Sequence, residues 1–439
     1  MKELIAKFFL IAFDAVMIFI AIAGAYYFRH LLTDYFSIPP PQDIGSYLSM
    51  PLIYAVTLII LFYEGIYTKR FDFWQETKRI TLSLTISLVL VFALLALQKE
   101  ALSYSRFVLI ASFILMLIMI PTEKRFVKYW LYRIGVWRRE ALVLGEDPFF
   151  EDHVFGNHYL GYVQGDEQTS KTLFIASEHQ RAQEIETILD ESVKRNQEII
   201  FIPLIKSYDF SDSFIIHIFN ARTNLIVLKN KLLSPFNQLL KRVSDYLLSL
   251  ILLPFIVVVM GCISVLIKRE EPKGQVFFKQ LRMGRDGKPF VCYKFRTMKH
   301  DSDHLLQEYL QNHPAEITNY AIYHKYNNDP RITKIGNFLR KTSLDELPQI
   351  FNVLRREMSL IGPRPYMPEE REKIGEKLSL ILAVKPGITG LWQVSGRSEV
   401  DFMSRVALDA WYVRNWSLWT DFVILVKTAK VVLKREGAL

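Results

Sequence analysis

The chain has 439 residues, room for two or three domains, and 51% of them are hydrophobic. That apolar share excludes an ordinary soluble enzyme and predicts membrane segments. The formal charge of +9 suits nucleic acid, an anionic lipid leaflet or phosphorylated substrates, and does not choose among them.

Four apolar stretches open the chain, at 4–27, 47–66, 80–97 and 107–121, each near bilayer-spanning length. They predict a four-helix transmembrane bundle over 1–121. The length of the first and its internal Asp14 argue for a retained anchor rather than a cleaved signal peptide. Asp14 fits pairing inside the bundle as well as function, so no chemistry is assigned to it. Lys69, Arg70, Lys78 and Arg79 lie between the second and third stretches, and a basic linker helix is expected over 122–140. By the positive-inside rule, the N-terminus and everything after Pro121 face the cytoplasm.

From 141 to 235 short apolar runs, ALVLG, TLFIA, EIIFIPL and NLIVL, surround the helix-like AQEIETILDESVKRN. This predicts a small Rossmann-like α/β domain. Glu146, Asp147 and Pro148 follow Gly145, so the Gly-rich phosphate fingerprint is missing, and a regulatory or dimerising role is expected. The stretch 243–267 is again long enough to span, but Pro254 lies at its middle, with Lys241 and Arg242 before it and Lys268 and Arg269 after. A re-entrant hairpin broken at Pro254 keeps both basic flanks on one side. The remainder, 236–439, reads as one catalytic domain.

Downstream, VFFKQLRMGRDGKPFVCYKFRTM predicts two strands around an Asp286-Gly287 turn. Strand alternation puts Lys294 and Arg296 on one face, for a phosphate or simply for solvent. Asp301 and Asp303 form a D-x-D pair of the kind that holds a nucleotide-sugar metal, yet they open a polar helical segment and lack a preceding nucleotide-binding unit. In RKTSLDELPQIFNVLRREMSLIGPRP, Pro348 is at home only in a first helical turn, so a helix is expected to begin near Asp345. Ser343 and Glu346 have capping-box spacing, while Asp345, Glu346, Arg340 and Lys341 also suit a phosphate at a helix start. Arg364 is bracketed by prolines. KPGITGLWQVSGR is a structured loop in which Arg397 can meet a diphosphate and Trp392 can pack on a base. The aromatic and basic tail suits a membrane surface. Cys262 and Cys292 have no paired spacing, so neither a disulfide nor a zinc site is expected.

Taken together, YKFRTM, NDPRITKIGNFLRKTSLDELPQIFNVL, MSLIGPRP and KPGITGLWQVSGR resemble the bacterial sugar transferase family, the monotopic phosphoglycosyl transferases. The N-terminal half is similar to the large members that start O-antigen, capsule or exopolysaccharide synthesis, the undecaprenyl-phosphate galactose phosphotransferases among them. The resemblance implies a multidomain α+β protein of the bacterial inner membrane with a mainly helical catalytic domain on the cytoplasmic face. It implies transfer of a sugar 1-phosphate, galactose in the nearest resemblance, from a UDP-sugar to undecaprenyl phosphate, with magnesium and a phospho-aspartate intermediate. Membrane lipids and a second copy of the chain are the implied partners, nucleic acid is not. Asp345 matches the family nucleophile and Glu346 its partner, both at the magnesium site. Lys294, Arg340 and Arg364 match phosphate-binding residues, Arg397 matches the glycine-rich-loop arginine, and Asp409 falls in a weaker supporting motif. The family hairpin commonly breaks at Ser-Pro, whereas Leu253 precedes Pro254 here. Two other readings are a metal-dependent glycosyltransferase built on Asp301 and Asp303, and a non-catalytic scaffold for polysaccharide assembly.

Overall fold

The computed structural model describes all residues except 1, 37–40, 100–103, 145–149, 167–169, 177–197, 203–207, 211–212, 219–222, 228–230, 301, 315, 318–325, 327–328, 397–399 and 435–439. The chain divides into two compact units, Met1–Leu204 and Ile205–Leu439. Among the described residues five helices are long and apolar enough to cross a membrane, which marks the chain as a membrane protein.

The first unit opens with α1 (Lys2–Phe36), α2 (Ile44–Leu48), α3 (Pro51–Tyr63), α4 (Phe73–Leu97) and α5 (Arg106–Arg133). Leu10, Ile18, Ala21 and Ala25 of α1 are buried while Phe8, Phe19 and Phe28 are exposed, as expected of helices with one face in a bundle and one in lipid. Asp72 starts α4 by accepting from the Trp74 N–H at 3.1 Å. No break occurs at Pro121: α5 runs through it to Arg133, so the fourth apolar stretch and much of the basic segment after it form one helix. Neighbouring helices can absorb the lost backbone bond.

The bundle buries two lysine–carboxylate pairs. Lys124 Nζ lies 2.8 Å from Asp14, which also accepts from the Tyr67 hydroxyl at 2.6 Å. Asp14 therefore pairs inside the bundle. Lys128 Nζ meets Glu76 at 2.5 Å, and the Tyr159 hydroxyl donates to the same carboxylate. Arg70 donates to the carbonyls of Trp137 and Leu160, its guanidinium 4.3 Å from the Trp137 ring centroid. These bonds join the helices to a parallel sheet of β1 (Arg139–Leu144), β2 (Tyr162–Gln164), β3 (Thr172–Ala176) and β4 (Glu198–Ile202), in the order β2-β1-β3-β4. Gly145 and the helix expected over 182–196 lie outside the described residues. The NLIVL run does not join this sheet: β6 (Thr223–Val227) pairs antiparallel with β5 (Phe214–Ile218), in the second unit.

The second unit is organised on α6 (Pro235–Glu270). Its helical bonding continues through Pro254, so the stretch is one helix rather than two separated by a turn. An interior proline removes one donor and bends a helix without having to end it. Residues on both sides of Pro254 seat on the same domain. Upstream, Asp245 accepts from the Ser359 hydroxyl at 2.6 Å and the Leu360 N–H at 3.2 Å, and Lys241 pairs with Asp421 at 2.8 Å. Downstream, Met260, Ile263 and Ile267 pack with Phe295 and Leu339, and Glu270 accepts from the Lys334 and Ile335 N–H groups. Between these anchors Leu250, Ile251, Phe255, Val257 and Val258 are exposed.

After α6 come the hairpin β7 (Phe277–Met283) and β8 (Pro289–Phe295), α7 (Asp303–Asn312), α8 (Lys334–Thr342) and α9 (Ile350–Leu354). The Asp286-Gly287 turn forms as expected, both residues having positive φ. Strands β9 (Ser359–Ile361) and β10 (Gly387–Thr389) pair in parallel, and α10 (Phe402–Arg414) and α11 (Leu418–Lys434) close the unit. The β9 and β10 pairing brings MSLIGPRP against KPGITG. A Cβ on Gly387 would lie 2.0 Å from the Gly362 nitrogen, so the close crossing of these loops requires glycine.

Candidate active site

The adjacent carboxylates sit at a change of backbone direction. α8 ends at Ser343, which takes the left-handed conformation (φ 55°), and residues Leu344–Gln349 wind as a 3₁₀ turn before α9 begins. The helix expected from Asp345 is thus a tighter turn at first, and Ser343 makes no side-chain capping bond to it. Asn352 fixes this corner to β8: its amide donates to the Val291 carbonyl at 2.7 Å and its oxygen accepts from the Tyr293 N–H at 3.2 Å. Nothing in the local sequence distinguishes Asn352 from a surface helix residue, and it is fully buried.

The two carboxylates are then treated differently. Lys294 of β8 places Nζ 2.6 Å from Glu346 Oε1, and the Gln393 amide lies 3.5 Å from Oε2. Burial works against charge on Glu346, but Lys294 outweighs it, with Arg364 and Arg282 adding, and holds that carboxyl below its ordinary range. Asp345 has no side-chain hydrogen bond to another described residue. Burial pushes its carboxyl up to about 6; Lys294 opposes this, the neighbouring Glu346 adds to it, and Arg340 opposes it. Glu346 is therefore the fixed charge of the pair and Asp345 the uncommitted one.

Cations surround the dyad. Arg340 donates from Nε to the Thr297 hydroxyl at 2.9 Å. Arg364 lies with its guanidinium 5.4 Å from the Trp392 ring centroid, and Arg405 lies 5.3 Å from the same ring. Trp392 thus faces two guanidinium groups, an arrangement the loop pattern did not show. Lys294, Glu346, Arg364, Trp392 and Gln393 line one cleft with about 330 Å³ of open space. Gln349 also lines it: the residue is 1% exposed, and neither its amide nitrogen nor its oxygen has a hydrogen-bond partner among the described residues. A buried amide unsatisfied at both ends is costly unless a ligand completes it.

Arg296 is not in this cleft. β8 stops at Phe295, and Arg296 lies instead by Glu270, Glu271 and Thr333 at the end of α6. The alternation that would align it with Lys294 ends with the strand. Arg397 and Asp301 lie outside the described residues, and Asp303 begins α7.

Asp409 stands behind the cleft. Fully buried on α10, it accepts from the Arg364 backbone N–H at 3.0 Å and the Tyr366 hydroxyl at 2.8 Å, so it positions the segment that carries Arg364. Burial raises its carboxyl to about 7, those two donors opposing. With the folded value above the unfolded one of 3.8, the folded state holds the extra proton between them. Stability from this group is present at low pH and lost as pH rises toward 7 and through it. Thermal melting in detergent should therefore show the wild type losing ground to Asp409→Asn as pH is raised from about 4 to about 7; a constant difference across that window would refute the assignment.

Comparison with known proteins adds to this geometry. A family model described as bacterial sugar transferase matches residues 236–435. The chain is 34% identical to the undecaprenyl-phosphate galactose phosphotransferase of Salmonella typhimurium, over 85% of this chain and 84% of the relative. It is 42% identical to the UDP-glucose:undecaprenyl-phosphate glucose-1-phosphate transferase of Escherichia coli, over 45% of this chain and 40% of the relative. The exopolysaccharide production protein ExoY of Sinorhizobium fredii is 41% identical over 46% of this chain, which is 90% of that relative. A dyad set among cations in the region the family model covers, and a relative matched along most of both chains, place this chain in the bacterial sugar transferase family.

Proposed function

We propose that the chain transfers a sugar 1-phosphate, galactose 1-phosphate in the first instance, from a UDP-sugar to undecaprenyl phosphate, releasing UMP and starting an envelope polysaccharide. The observation that carries this is the asymmetric dyad: one carboxylate tied to Lys294, its neighbour uncommitted, and Arg364 and Arg340 close by. The names of the Salmonella and Escherichia relatives support the donor and acceptor classes, and the first supports galactose.

In the first half-reaction a carboxylate oxygen of Asp345 attacks the phosphorus bonded to the sugar. The diphosphate bridge breaks and UMP leaves with its electron pair. In the second, a phosphate oxygen of the lipid attacks the same phosphorus, and the acyl-phosphate bond breaks to restore the carboxylate. Splitting the transfer this way lets two bulky substrates use one site in turn. Lys294, Arg340 and Arg364 counter the phosphate charge during both steps. Gln349 is placed to complete its amide with a polar group of the donor.

Magnesium fits this donor set. No cluster of three or more His, Cys, Asp or Glu side chains occurs among the described residues, but magnesium typically takes one or two carboxylates along with substrate phosphates. Asp345 and Glu346 would hold it, beside the lysine that already bonds Glu346. When bound, it neutralises diphosphate charge.

The α6 anchors support a helix that enters the inner membrane from the cytoplasmic face and returns. Its two ends are bonded to one domain, so they belong on one side of the bilayer. In a background free of Cys262 and Cys292, cysteines at positions 236 and 273 should both react with a membrane-impermeant maleimide from the cytoplasmic side. Labelling from opposite sides would show a true crossing. The reaction itself is tested by the nucleotide product with purified protein, a UDP-sugar and undecaprenyl phosphate. UMP is expected, and UDP would favour a direct glycosyl transfer instead.

A further inference from the structure

A second cavity flanks the upstream half of α6, with about 470 Å³ of open space and no lining residue in common with the Glu346 cleft. Four cations line it, Lys241, Arg242, Arg285 and Lys385, against one carboxylate, Asp245. Lys241 is neutralised by Asp421, and Asp245 is occupied by Ser359 and the Leu360 N–H. Arg285 donates to Gln238 at 3.2 Å, yet its buried Nε has no hydrogen-bond partner, the Asp286 carboxylate standing 3.6 Å away at the exposed rim. Neither Arg242 nor Lys385 has an ion pair or hydrogen bond with another described residue. Burial, with Arg242, Arg356 and Arg285 around it, keeps the Lys385 ammonium below its ordinary range, Asp245 offsetting this only in part. With Asp421 and Asp286 counted beside Asp245, one positive charge in this group has no counterpart, which favours an anion. The adjoining turns of α6 expose Val243, Leu247, Leu250 and Ile251. A free anion has no use for that apolar flank; a lipid uses both.

We propose that this cavity binds the phosphate headgroup of a membrane lipid, with Arg242, Arg285 and Lys385 on the phosphate and the lipid chains along the exposed flank of α6. The proposal rests on α6 being embedded in the membrane. It does not require the dyad to act as described above.

The full-length protein in neutral detergent is offered phosphatidylglycerol, undecaprenyl phosphate or inorganic phosphate, and bound equivalents are counted by native mass spectrometry. Arg242→Gln with Lys385→Gln should weaken retention at this cavity about 30-fold, roughly fivefold for each cation removed. The pair Arg242→Lys with Lys385→Arg should keep it, and matching melting curves exclude misfolding. An equivalent of phosphatidylglycerol lost in the Gln variant identifies bulk phospholipid as the source. An equivalent of undecaprenyl phosphate lost there, with no phosphatidylglycerol bound, identifies the prenyl lipid. Unchanged retention in the Gln variant, or displacement of lipid by inorganic phosphate, overturns the proposal. UMP release from the same samples separates the two ideas. Lipid retention without UMP release leaves this site standing and counts against the reaction, whereas UMP release with no equivalent at the cavity overturns this site alone.

Discussion

Asp345→Asn is expected to lower UMP release by at least about 10⁴-fold, the scale on which loss of a covalent nucleophile is felt. Asparagine preserves the size of the side chain but cannot form the acyl phosphate. The substitution should be well tolerated by the fold, because Asp345 has no side-chain hydrogen bond to another described residue. Incubation with UDP-sugar alone should add a sugar-phosphate mass to the wild-type protein and none to the variant. Turnover near the wild-type rate, or an adduct on the variant, would remove Asp345 from its role.

Lys294→Ala is expected to cut kcat/KM by about 10²–10³-fold, comparable to loss of one charge-stabilising donor. The lysine is bonded to Glu346 and lowers the carboxyls of both Glu346 and Asp345. Without it both carboxyls hold their protons to higher pH, so the acid limb of the pH profile of kcat/KM should move upward. Lys294→Arg, which keeps the charge, should largely restore the position of that limb. A loss of rate with no movement of the limb would mean that Lys294 shapes the corner without setting its charge.

Much of this site was legible locally. The Asp286-Gly287 turn, the two carboxylates before Pro348 and the Pro-bracketed Arg364 carry their chemistry in a few adjacent residues. What was not legible depends on where a periodic element stops or on contacts far along the chain. Alternation placed Arg296 beside Lys294, but β8 ends one residue too early. Pro254 suggests a break because a missing N–H often ends a helix, yet α6 absorbs it. NLIVL has the composition of a parallel core strand, yet its partner is the preceding hairpin arm. Asp409 reaches Arg364 across 45 positions and Asn352 reaches Val291 across 61, so no local pattern encodes either bond. Gln349 is conspicuous only once its burial is known.

The buried pairs of the first unit set rules for cutting the molecule. A deletion of the helices that kept the parallel sheet would take Lys128, Glu76 and Arg70 away together, leaving the Tyr159 hydroxyl and the Trp137 and Leu160 carbonyls without partners. A deletion within the helices would be worse, since removing α1 alone strands the Lys124 ammonium without Asp14 in an apolar interior. Helices and sheet are therefore structurally interdependent. A cut between Leu204 and Ile205 follows the boundary of the two compact units. A relative such as ExoY, matched by less than half of this chain yet along 90% of its own length, has the proportions that such a cut would leave.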